Sequence, residues 1–182
     1  MSHAFAFHAR PRRDRKIDMR TVAIILLSSC LISCASLLAA ADSCPAVLED
    51  GDYCAYDASA QAQLDVEQAQ AYAKENDLKS IIVMGANWCH DSRALAGHFQ
   101  KPRFQTLLSE HYSLVYVDVG EKNRNLDIAR SFGLDGIVGT PTIIVTDKDG
   151  AVLNLETAPT WRNAASRSED EVYAYFEDFA AQ

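Results

Sequence analysis

Basic side chains are scarce in most of this 182-residue chain. Six of its 17 lysines and arginines (Arg10, Arg12, Arg13, Arg15, Lys16 and Arg20) lie in the first 20 residues, whereas only 2 of its 25 acidic residues precede residue 42. The remainder carries 11 basic against 23 acidic side chains, a formal charge of −12. Such a surface lacks the basic face that a polyanion needs, so nucleic acid is not an expected partner. Repeats and low-complexity tracts are absent, and the length suits one ordinary domain. Metal-ligand spacing is missing too: His90, His98 and His111 have no companion motif and read as surface or helix-face histidines, so neither a metal nor a cofactor is expected. Cysteine is sparse, with Cys30 and Cys34 early in the chain and Cys44, Cys54 and Cys89 after it.

The basic head is followed by an uncharged stretch, Thr21 to Ala41, containing "VAIILLSSCLISCASLLAAA". This is the basic-then-apolar order of a secretory leader, so residues 1–41 are read as a signal peptide, with Met19 an alternative start and 1–18 an extension. Ala39, Ala40 and Ala41 supply small residues for cleavage before Asp42. "LISC" ending at Cys34 resembles a lipobox, which would make Cys34 a lipidated terminus, and residues 21–41 are also about long enough for an uncleaved anchor. Each ending puts the rest of the chain on the far side of a membrane, in the periplasm if the source is a Gram-negative bacterium. Membrane contact is expected only through a lipid on Cys34 or an anchor at 21–41. An oxidising setting permits a disulfide between Cys44 and Cys54.

Residues 42–58, "DSCPAVLEDGDYCAYDA", hold turn formers without a period and read as an irregular arm. Closing it through Cys44 and Cys54 contributes about 2–3 kcal/mol on the chain-entropy estimate, as a structural clip or with a redox role. From residue 59, Ala62, Val66, Ala69 and Ala73 recur at helical spacing up to Asn76-Asp77. "SIIVMGA", 80–86, has the continuous apolar run of a doubly buried strand. "NWCHDSRALAGHFQ" then returns to helical spacing, with Leu95 and Phe99 inward, before a break at Pro102 and a further turn or two through Phe104, Leu107 and Leu108. "YSLVYVDVG" reads as a strand, Leu126, Ala129 and Phe132 as a helix stopped at Gly133, and "TPTIIVTDKDGAVLNL" as a hairpin turning at 147–150. Ser168 and Glu171 form a capping box for a last helix. Alternation ending in a hairpin implies an α/β fold with a mixed central sheet flanked by helices.

Cys89 therefore falls where a strand feeds a helix N-terminus. Free N–H groups and aligned peptide dipoles favour an anion there, and the thiolate is the reactive form of cysteine. Protonated His90 would add to this effect and Asp91 would oppose it. Most free cysteines are small buried hydrophobes, but the position between Trp88 and two polar residues favours a reactive one.

On "WCHDS" at 88–92 and "GTPT" at 139–142, the domain of residues 59–182 resembles the thioredoxin fold, where the same places hold W-C-x-x-C and the cis-proline loop. It is most similar to exported thioredoxin-like domains, including that of the membrane reductase that delivers electrons to the bacterial periplasm. The resemblance implies that Pro141 is cis and lies against Cys89, that the Thr140 backbone pairs with a bound client strand, and that Trp88 shields one side of the sulfur. Three departures stand out. Ser92 replaces the resolving cysteine, Val83 stands where the family buries a carboxylate, and "FGLDGIVGTPT" is longer than the usual approach to the proline. The first two agree, because an acid with no second thiol to deprotonate would only cost desolvation.

Without a second thiol, Cys89 can form a mixed disulfide but cannot resolve it within the motif. Ser92 can still donate a hydrogen bond to the thiolate. Release can come from the client's own second thiol, from a small thiol or reductase as electron donor, or from Cys44 or Cys54 on the arm; alternatively the mixed disulfide persists and the protein holds its client. The expected partners are proteins with disulfides or thiols. The rival expectation is a peptide-binding or chaperone-like module in which Cys89 does no chemistry.

Overall fold

The computed structural model describes residues 44–45 and 48–182. The leader expected at 1–41, with its lipidation candidate Cys34 and the stretch 21–41, lies outside the described residues. Helix α1 (Ala62–Glu75) precedes strand β1 (Lys79–Gly85), which feeds α2 (His90–Phe99) and α3 (Pro102–His111). Then come β2 (Tyr112–Asp118), α4 (Leu126–Ser131) and β3 (Thr142–Thr146), two short 3-10 turns at Ala158–Trp161 and Ala164–Ser166, and α5 (Glu169–Ala180). Pro102 starts α3 at a position where its missing N–H costs nothing, and Ser168 and Glu171 cap α5 reciprocally. Among the described residues no helix is long and apolar enough to cross a membrane.

The sheet has the order β2-β1-β3, with β1 parallel to β2 and antiparallel to β3. Because strand side chains alternate faces, β1 feeds two cores. Ile81 and Val83 face Leu95, Phe99, Phe104, Trp161 and Phe176 from α2, α3, the first 3-10 turn and α5. Ile82 and Met84 face Ala62 and Val66 of α1 and Ile128 and Ala129 of α4. Covering both faces requires an apolar residue at every position, which is why β1 reads as a continuous run rather than an alternation. This is a mixed sheet flanked by helices, entered through an irregular arm.

The expected hairpin is cut short. After the turn at 147–150, Val152 makes one bridge to Thr146 and the Leu153 N–H donates to the Val145 carbonyl at 2.8 Å. The chain then leaves the ladder, and the buried side chain of Asn154 takes the place of a second strand. Its Oδ1 accepts from the Val145 N–H at 2.8 Å, and its Nδ2 donates to the Ile143 carbonyl at 2.8 Å. An amide carries both a donor and an acceptor, so one side chain satisfies the open edge of β3.

Candidate functional site

The turn from β1 into α2 places the cysteine. The Cys89 N–H donates to the Ala86 carbonyl at 3.1 Å, and extended φ/ψ angles make Cys89 the N-cap, with its carbonyl accepting from the Arg93 N–H at 3.1 Å. The N–H groups of His90, Asp91 and Ser92 therefore open toward the cap without an intrahelical acceptor. Cys89 is 8% exposed, and Sγ donates to the Thr140 carbonyl at 3.3 Å. The peptide joining Thr140 to Pro141 is cis. Trp88 stands 40% exposed beside the sulfur in sequence, its indole N–H held by the Gly120 carbonyl just past β2 at 3.0 Å. Cys89 and the Thr140-Pro141 loop thus meet across 51 residues of sequence.

Ser92 and His90 are placed differently from each other. Ser92 is fully buried, and its hydroxyl has no hydrogen-bond partner, the Cys89 sulfur included. His90 is exposed and turns toward the arm, with Nε2 3.3 Å from Glu49 Oε2 and 3.8 Å from Asp52 Oδ1. Val83 lies in register between Tyr116 and Ile143 without exposure, so β1 brings no carboxylate beneath the site. The buried acid comes instead from the end of β2. Asp118 accepts from the Gly120 N–H at 2.9 Å and from Arg124 at 3.4 Å. Its signal in the sequence is an aspartate within the apolar strand "YSLVYVDVG".

The arm carries residues that no local motif announces. Cys44 and Cys54 are joined by a disulfide with Cα atoms 5.8 Å apart, leaving neither with a thiol for Cys89 in this state. The Tyr56 backbone is gripped on both sides by Asn87, which accepts from its N–H at 3.1 Å and donates to its carbonyl at 2.7 Å. Arg93 is buried and donates through Nε to Asp52 at 2.8 Å, while one terminal nitrogen donates to the Asn87 and Trp88 carbonyls at 2.9 and 3.1 Å. The Tyr53 N–H donates to the Arg93 carbonyl at 3.1 Å. This places the Tyr56 ring under the site, edge-on to Tyr116. Burial drives the Tyr56 phenol well above its ordinary pKa. Tyr116, Cys89 and Asp118 push the same way, and the neighbouring Ser92 hydroxyl opposes them. Among the described residues no three metal-ligating side chains converge.

A thioredoxin-like family model matches residues 60–148. The crystal structure of a disulphide isomerase from Xylella fastidiosa Temecula1 is similar with a TM-score of 0.64 and 32% identity, covering 70% of this chain and 97% of that one. A protein of unknown function from Pseudomonas aeruginosa aligns with a TM-score of 0.38 and 19% identity, over 67% of this chain and 83% of its own. No curated protein matches the chain. With the strand, the capped cysteine and the proline loop in one arrangement, and about a third of positions identical over nearly the whole of the Xylella protein, this chain belongs to the thioredoxin-like family.

Proposed function

We propose that the protein is an exported thioredoxin-like thiol-disulfide oxidoreductase that engages client disulfides through Cys89 alone. The observation that carries this reading is the site of the sulfur. Cys89 is the one free cysteine among the described residues, it caps α2, and its Sγ lies 3.3 Å from the Thr140 carbonyl beside the cis Pro141. The similarity to a disulphide isomerase supports the same chemistry. Export rests on the basic-then-apolar order of residues 1–41, with a lipid on Cys34 as the variant that would keep the protein at a membrane.

In the first step the Cys89 thiolate attacks one sulfur of a client disulfide. A mixed disulfide forms, the client S–S bond breaks, and the second client sulfur leaves as a thiolate. In isomerisation another client thiolate then attacks the client sulfur of the mixed disulfide, making a new client disulfide and returning the Cys89 thiolate with no net electron transfer. In reduction a small thiol attacks Cys89 Sγ and frees the client as a dithiol. A second small thiol then releases Cys89, so one small-thiol disulfide forms for each client disulfide reduced.

Turnover of insulin or scrambled ribonuclease with and without glutathione tests the reading. Cys89→Ala is expected to fall to background, and equal rates for Cys89→Ala and wild type would overturn it. A specific observation favours a second reading as a peptide-binding module: the sulfur is almost buried and its thiol is taken up by Thr140. Client capture that survives Cys89→Ser would select that module.

A further inference from the structure

Beneath Cys89 the fold buries hydroxyls that have no hydrogen-bond partner, among them Tyr56 Oη at 3% residue exposure and Ser92 Oγ at 0%. Both face the same point at the end of β1. A Cβ on Gly85 would lie 2.6 Å from Tyr56 Oη and 2.7 Å from Ser92 Oγ, so the glycine leaves the space the two oxygens occupy. The Ser92 hydroxyl is near enough to the phenol to lower its pKa, yet the pair does not meet hydrogen-bond geometry in this state. Leaving a buried hydroxyl unsatisfied costs free energy, so two side by side call for a state of the protein that uses them.

The ionised form of Cys89 is such a state. As a thiol, Sγ donates to the Thr140 carbonyl. On ionisation its proton leaves to water, two acceptors then face each other, and the sulfur must find other donors. Ser92 stands one helical turn beyond Cys89, on the same side of α2. A serine hydroxyl has one proton and two acceptor sites, and accepting from a phenol commits its proton elsewhere and strengthens the bond it gives.

We propose that Tyr56, brought in by the arm, is a positioning residue for the Cys89 thiolate: its phenol donates to Ser92 Oγ and the Ser92 hydroxyl donates to the ionised sulfur. This rests on Cys89 being the nucleophile. It makes the arm part of the site, and it gives Ser92 a role that alanine could not fill. The groups facing this patch are Cys89 and Ser92 at the start of α2, Tyr116 and Asp118 of β2, and Tyr56 itself; the charges nearest in sequence are the exposed His90, turned to Glu49 and Asp52, and the half-buried Asp91, whose Oδ1 accepts from the Ala165 N–H at 2.8 Å. Because burial holds Tyr56 protonated beyond the range where thiols ionise, its donor survives throughout a thiol titration.

The test is iodoacetamide alkylation of the full chain, read at the Cys89 peptide by mass spectrometry, at about pH 7 and at about pH 10, where an ordinary thiol is ionised. Tyr56→Phe is expected to slow alkylation about three- to tenfold at the lower pH, the worth of one hydrogen bond, with no change at the higher pH. Ser92→Ala should do the same, the double variant should add nothing, and Tyr53→Phe on the exposed part of the arm should match wild type. Wild-type rates in Tyr56→Phe at the lower pH, an equal slowing at both pH values, or additive losses would overturn the relay. Wild-type behaviour of Ser92→Ala overturns it whether or not Tyr56→Phe folds. A wild-type Cys89 that is not alkylated at either pH would remove both the nucleophile reading and the relay, whereas a reactive Cys89 indifferent to both hydroxyls removes only the relay.

Discussion

The guanidinium of Arg93 ties the turn that carries Cys89 to the arm. It is buried with its partner Asp52, whose side chain is 2% exposed, and the same group holds the carbonyls of Asn87 and Trp88. A buried ion pair adds little relative to an apolar substitute, but removing one partner strands the other charge. Arg93→Met is therefore expected to destabilise the protein by about 3–5 kcal/mol, measured by urea unfolding with the disulfide intact. A loss well below about 1 kcal/mol would mean that Asp52 finds water once Arg93 is gone. Single residues were legible here to different degrees. Cys89, Trp88, Thr140 and Pro141 could be named because motif spacing is a local property, and they lie together in the fold. Arg93 and Asn87 sit in the same stretch, "NWCHDSR", and give no sign of their partners on the arm, Asp52 and Tyr56.

Helix α2 shows how an element's neighbours can reverse the sign of a propensity. Glycine in a helix interior ordinarily costs about 1 kcal/mol relative to alanine. At Gly97, however, a Cβ would lie 1.6 Å from the Gly51 carbonyl oxygen of the arm. Gly97→Ala is thus expected to destabilise by about 1–3 kcal/mol, the range of overpacking, instead of stabilising. Thermal unfolding gives the sign, and limited proteolysis near residue 51 reports whether the arm has lifted. A higher midpoint in the variant would show that the arm yields without cost. A glycine is what so close a backbone approach requires, but the sequence does not show which segment approaches. The helices and the doubly buried β1 followed their periodicities because side-chain period is set by local geometry. The hairpin's second strand did not form, because a single side chain, Asn154, met the hydrogen-bonding needs of β3 and released the chain.

For the molecule as a whole, the arm and the sheet and helices that follow it are joined by contacts spread over α2 and the end of β1, with the Cys44–Cys54 bridge closing the arm on itself. Replacing both cysteines by serine is expected to lower stability by about 2–3 kcal/mol, the loop-closure entropy returned to the unfolded chain, and guanidinium midpoints in oxidised and reduced buffer measure it. An unchanged midpoint would assign the arm's order to Arg93 and Asn87 alone. Composition, the order of elements as far as β3, the strand-to-helix site of Cys89 and the missing second thiol at Ser92 were determined by the sequence, since each depends on residues close together in the chain. Tertiary structure alone decided that the Cys89 thiol rests on Thr140, that His90 turns to the arm, and that the Tyr56 and Ser92 hydroxyls are buried together beside Gly85. The contacts behind those outcomes join side chains and backbone 31 to 51 residues apart, and such partners are selected by packing two faces of a sheet at once, which no local pattern encodes.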